Sequence, residues 1–119
     1  MALIVVADDE MLLTEMLAAV LEDAGYDVLL AAHGKEALDL VKQNRPRLLI
    51  TDFMMPVMTG LELAEVLRQD HEFTDLPILL VTGAQGAVAR RHPELFTRVL
   101  DKPYSLQQLL DVVAEMVPV

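Results

Sequence analysis

The chain contains no cysteine, which excludes disulfides and thiolate metal sites alike. Basic residues are scarce: Lys and Arg total 9 against 19 for Asp and Glu, a formal charge of -10. A nucleic-acid surface needs clustered Lys and Arg to meet phosphates, and an anionic membrane needs the same, so neither partner is expected. No apolar run approaches the length of a membrane span, and the opening MALIVVADDE has no basic n-region. A cytoplasmic location is the default expectation. Repeats, low-complexity tracts and linkers are missing too, so residues 1–119 are expected to form a single domain. The glycine patterns that cradle nucleotide phosphates are absent, and His33, His71 and His92 are too scattered to suggest a metal site.

Apolar residues, by contrast, make up 54% of the 119 positions, enough for one sheet covered by helices. The stretch LLITDFMMPVMTG, residues 48–60, organises the rest. Leu48 to Ile50 suit a strand buried on both faces, and the run stops at Thr51 and Asp52. Met54, Met55, Pro56, Met58 and Gly60 then form a loop before the next helix. Asp52 therefore stands just where ligand chemistry collects in open parallel sheets, at the carboxyl end of a strand. Alone, it would be read as a loop carboxylate or a helix cap.

Its companions change that reading. Leu3 to Ala7 form a strand ending in Asp8, Asp9 and Glu10, and Val28 to Ala32 a second strand. Ile78 to Val81 end in Thr82 and Gly83; Thr97 to Leu100 end in Asp101, Lys102 and Pro103. Helical spacing links Leu13, Met16, Leu17, Val20 and Leu21, with Gly25 as the stop. A second helix opens at Gly34 and runs through Ala37, Leu38 and Val41; a third spans Leu61 to Arg68. Ser105 caps a last helix carrying Leu106, Leu109, Leu110, Val113 and Met116 on one face. Residues 84–96, with Gly86, Arg90, Arg91 and Pro93, support a short helix at best. Five strands alternating with helices mean an α/β fold with a parallel sheet and right-handed crossovers.

Strand ends of a parallel sheet share one edge, so Asp8, Asp9, Asp52, Thr82 and Lys102 can converge. Three carboxylates pressed together repel and call for a cation. Magnesium fits, being hard and content with one or two carboxylates, water and a phosphate oxygen. A carboxylate beside that metal can attack phosphorus and form an acyl phosphate. An ammonium and the metal would offset charge on the transferring oxygens, and Thr82 offers them a hydroxyl.

The set VVADDE, LLITDFMMPVMTG, ILLVTGA and VLDKPYS resembles the receiver domain of two-component response regulators over essentially the whole chain. The resemblance implies a doubly wound, flavodoxin-like five-stranded sheet of order 2-1-3-4-5 with helices on both faces, the order known from chemotaxis receivers. It implies that Asp52 is the phosphoacceptor, that Asp9 ligates magnesium directly and Asp8 through water, and that the Met54 backbone carbonyl is a further ligand. Lys102 would contact the phosphoryl group, and the Lys102–Pro103 bond would be cis. A sensor histidine kinase or histidine phosphotransfer protein would be the donor, and an unidentified downstream protein would read the changed face. The domain would catalyse only its own phosphorylation and dephosphorylation. It would serve alone or as the receiver of a longer protein.

Two features depart from the family pattern. Receivers usually carry Tyr or Phe three residues before the Lys, where Val99 stands here, and Tyr104 is not an obvious replacement. The interval from Thr82 to Lys102 is also slightly short. A phosphorylation-independent interaction module is one rival reading, against which the acids and Lys102 count. A phosphatase with an Asp nucleophile is another, but such enzymes usually place a second Asp where this chain has Met54.

Overall fold

The fold follows from strands that are apolar on both faces and therefore need cover on both. The computed structural model describes residues 1–118. In chain order the elements are β1 (Leu3–Ala7), α1 (Met11–Asp23), β2 (Asp27–Ala31), α2 (Gly34–Asn44) and β3 (Leu48–Asp52). They continue with α3 (Gly60–Gln69), a 3-10 turn (His71–Phe73), β4 (Ile78–Thr82), α4 (Gly86–Arg90), β5 (Arg98–Asp101) and α5 (Leu106–Met116). The five strands are parallel, in the order β2-β1-β3-β4-β5. This is the doubly wound, flavodoxin-like sheet that the resemblance implied.

Alternate residues of the central strands divide the core in two. Val5, Leu49, Ile78 and Leu80 pack with Leu38 and Val41 of α2, Leu63 and Leu67 of α3 and Ala89 of α4. Ile4, Val6, Leu48, Ile50, Leu79 and Val81 pack with Leu17 and Leu21 of α1 and Leu109 and Val113 of α5. Each fully buried aliphatic side chain contributes about 1.5–3 kcal/mol, so these two layers hold the sheet in place.

Helix ends are capped by local side chains. His33 Nδ1 accepts the Glu36 amide at α2, while Thr59 with Glu62 and Ser105 with Gln108 form capping boxes at α3 and α5. Arg68 ties α3 to the loops beneath it, donating to the carbonyls of Leu95 at 3.1 Å, Phe73 at 2.9 Å and Thr74 at 3.2 Å.

Several local expectations shift. β2 and β5 each begin and end one residue from where their apolar runs suggest, because Asp27 and Asp101 join the ladder through pairing with Leu3 and Thr82. On α1, Leu13 and Met16 are not core residues; they are 49% and 59% exposed, and Thr14 is buried in their stead. The Thr14 hydroxyl is satisfied by the Glu10 and Met11 carbonyls, which makes its burial cheap. Leu106, expected on the inner face of α5, is 45% exposed. No helix among the described residues is long and apolar enough to cross a membrane.

Candidate functional site

Register builds the site. Ala7 stands opposite Ala31 and Thr51, Asp52 opposite Val81, and Thr82 opposite Asp101. The residues that follow these strand ends are thus delivered to one edge. There, carboxylate oxygens of Asp8, Asp9 and Asp52 all lie within 4.8 Å of one another. Lys102 Nζ lies 3.5 Å from Asp52 Oδ2, while Asp52 Oδ1 accepts the Phe53 amide at 2.8 Å. The Asp52 side chain is only 12% exposed.

The electrostatics follow from this crowding. Burial and the Asp52 charge raise the Asp8 carboxyl above its ordinary value, against the Glu10 amide bond and the Lys102 charge that lower it. For Lys102, burial disfavours the ammonium, yet the Asp52 and Asp8 charges and the bond to Asp52 outweigh it and raise its pKa. The pocket is therefore an acidic cluster with one internal cation.

The loop after Asp52 is tightly held. The Gly60 amide donates to the Phe53 carbonyl at 2.8 Å, and a Cβ at Gly60 would collide with the Asp52 carbonyl. Between them, the Met58 amide donates to the Pro56 carbonyl at 2.7 Å, closing a γ-turn on Val57, whose φ is +70°. That turn is rare and strained, more so for a β-branched residue. Met58 in turn seats against Gly34 of α2, where a Cβ would strike the Met58 carbonyl. Val57 itself is 78% exposed, so its side chain does not offset the strain by packing. Relief of that strain, about 1–3 kcal/mol, exceeds the roughly 0.4–1 kcal/mol that a glycine's extra unfolded-state entropy costs. Val57→Gly is therefore expected to stabilise the domain by about 1 kcal/mol; a lower denaturation midpoint for the variant would refute the strain.

All five sequence-predicted side chains reach the same edge, but in different states. Asp8, Asp9, Asp52 and Lys102 converge. Thr82 is buried to 2%, and its Oγ accepts the Gln85 amide at 3.0 Å. Met54 lies in the loop with its side chain 60% exposed. The Lys102–Pro103 peptide is cis. Sequence reasoning gave Glu10 no role, yet its amide donates to Asp8 Oδ1 at 3.0 Å. Tyr104, which the sequence marked only as no obvious replacement for the missing aromatic, lines a cleft of about 410 Å³ that runs from Asp8 and Lys102 past Leu13, Met16 and Leu106. The exposed apolar residues of α1 and α5 thus gather beside the pocket.

A doubly wound sheet whose strand ends collect an acidic trio and a lysine defines a class of signalling domain. The chain belongs to the response regulator receiver domain family, whose model matches residues 4–114. It is 42% identical over 110 residues to response regulator MprA of Mycobacterium sp. strain KMS, covering 90% of this chain and 46% of that protein. The chain spans about half the length of the curated relatives it matches. Among solved structures, chemotaxis response regulator CheY4 of Vibrio cholerae is 32% identical with a TM-score of 0.90, covering 98% of this chain and 99% of that one. A putative response regulator from Chloroflexus aurantiacus is 33% identical with a TM-score of 0.89, covering 97% and 96%. The chain is a receiver domain of two-component signalling.

Proposed function

We propose that residues 1–119 form one receiver unit that takes a phosphoryl group from a phospho-histidine donor onto Asp52 with magnesium as cofactor. The observation that carries this reading is the trio of carboxylates within 4.8 Å with an ammonium 3.5 Å from Asp52. An Asp52 oxygen attacks phosphorus as the bond from phosphorus to the donor imidazole breaks. The electron pair leaves with the imidazole nitrogen, and an acyl phosphate remains on Asp52. Lys102 meets the oxygens of the transferred group, and the Thr82 hydroxyl donates to one of them.

The donor set suits magnesium: carboxylate oxygens of Asp8, Asp9 and Asp52, to which the family resemblance adds the Met54 carbonyl as a further hard ligand. When bound, the ion offsets the negative charge that would otherwise repel phosphate. No separate substrate is turned over, since the chemistry takes place on the domain's own side chain. A donor histidine that reaches Asp52 must cover the mouth of the pocket. Leu13, Met16 and Leu106 lie there, so the sensor kinase or phosphotransfer protein rests on this apolar rim. An unidentified downstream protein reads the face altered by phosphorylation.

Incubation with a small-molecule phosphodonor and magnesium is expected to add a single phosphate to the intact mass, and a chelator is expected to prevent it. Absence of any added mass would leave a phosphorylation-independent interaction module.

A further inference from the structure

The receiver has no aromatic side chain on β5 to swing: Val99 is β-branched, partly buried and poor in rotamers. The neighbouring helix α4 has only five residues and is fastened at both ends. At its start, the Gln85 amide donates to Thr82 Oγ at 3.0 Å. At its end, the Arg90 guanidinium grips the Asp101 carboxylate twice, Nη2 to Oδ2 at 2.6 Å and Nη1 to Oδ1 at 3.3 Å.

The Asp101 carboxylate is approached by α4 from one side. Gly86, the first residue of α4, lies so close that a Cβ there would collide with Asp101 Oδ1 and crowd Arg90 Nη1. Asp101 pairs in register with Thr82 and immediately precedes Lys102, whose amide donates to the Thr82 carbonyl at 2.8 Å. A closed circuit results: Thr82, Gln85, α4, Arg90, Asp101, Lys102 and back to Thr82. Beyond α4 the chain is anchored, with Leu95 and Phe96 buried and the Leu95 carbonyl bound by Arg68. Before it, Gly83 has open space around it. Gly83 is thus the point of the circuit with room to move, while Ala89 keeps α4 seated on the core.

We propose that the Arg90–Asp101 pair is the latch against which phosphorylation works, taking the place of a rotating aromatic ring. The proposal rests on Asp52 being the phosphoacceptor. A phosphoryl oxygen that draws in the Thr82 hydroxyl also draws the Gln85 amide and the start of α4. Arg90 and Asp101 hold the other end of the helix in the unphosphorylated arrangement. Linkage then requires the latch and the phosphoryl group to oppose each other: whatever loosens one favours the other. The pair is half exposed, at 50% and 56%, so the coupling is modest.

The test is binding of beryllium trifluoride, a phosphoryl mimic, in the presence of magnesium. Arg90→Met keeps the alkyl stem and removes the charge; it is expected to tighten mimic binding about two- to fivefold, the scale of an exposed ion pair. Asp101→Asn is expected to act in the same direction, and Arg90→Lys to fall between it and the wild type. Amide resonances of residues 83–90 in unliganded Arg90→Met are expected to lie part of the way toward their positions in the mimic-bound wild type. A merely structural pair would not move them along that line. Wild-type affinity in both Arg90→Met and Asp101→Asn overturns the latch while leaving Asp52 as the acceptor. Failure of the wild type itself to bind the mimic overturns the acceptor reading and the latch together.

Discussion

Asp52→Asn is expected to reduce phosphoryl incorporation at least about a hundredfold, to the level of a chelator control, without unfolding the domain. The amide nitrogen's lone pair is delocalised and its oxygen is a far weaker nucleophile than a carboxylate. Two other carboxylates lie within 4.8 Å, so the substitution also asks whether position matters within the trio. Asp52 alone ends a strand, with one oxygen held by the Phe53 amide and the other facing Lys102. Its replacement removes the Lys102 partner but also one charge from a mutually repelling group, and these effects oppose each other. Intact-mass measurement after phosphodonor treatment decides the matter, and label retained by the variant would move the acceptor to Asp8 or Asp9.

Asp8→Asn is expected to produce effects of opposite sign on stability and on metal response. Burial and the Asp52 charge raise the Asp8 pKa, so folding is disfavoured by its ionisation. That cost is absent below the unfolded-state value near 3.8 and is present in full above the raised folded value. The neutral variant therefore gains at neutral pH, by up to about 1 kcal/mol once solvent screening of a half-exposed group is allowed for. The gain disappears as pH falls through the raised value toward the ordinary carboxylate range. Magnesium binding at the trio is expected to raise the wild type's thermal midpoint by mass action and the variant's by less, since Asp9 and Asp52 remain as ligands of the proposed site. Thermal melts with and without magnesium at neutral and acidic pH check both halves. A variant less stable than wild type in metal-free buffer at neutral pH would mean that the acids are not repelling one another.

The strand ends were legible because two physical signals agree there. Runs such as Leu48 to Ile50 are buried on both faces, and parallel topology sends the residues that follow them to one edge. Strand order came from the family resemblance and not from the pattern. Edge strands were harder to delimit. β5 is exposed at Arg98 and Asp101, so no apolar run marks its ends. Helical spacing could not separate core from rim on α1, since Leu13 and Met16 fit the stripe as well as Leu17 does. Nor could it show that Thr14 can be buried once its hydroxyl binds its own helix's carbonyls. The γ-turn on Val57 leaves no trace in residue type, because valine is a poor choice for it. The Arg90–Asp101 pair depends on how a five-residue helix lies against β5, which periodicity does not address.

The edge strand β5 has a further consequence, for aggregation. Among the described residues only β4 pairs with it, so its outer row of backbone donors and acceptors is open to another chain. A helix that shifts beside such an edge risks uncovering a template for intermolecular pairing. The edge is short, at four residues, and exposed charges stand at both of its ends, Arg98 bound to Glu115 and Asp101 bound to Arg90. A second chain adding there would have to strip or bury those charges. The charges at either end of β5 therefore oppose growth of the sheet, and one of the two pairs, Arg90–Asp101, also holds the end of α4.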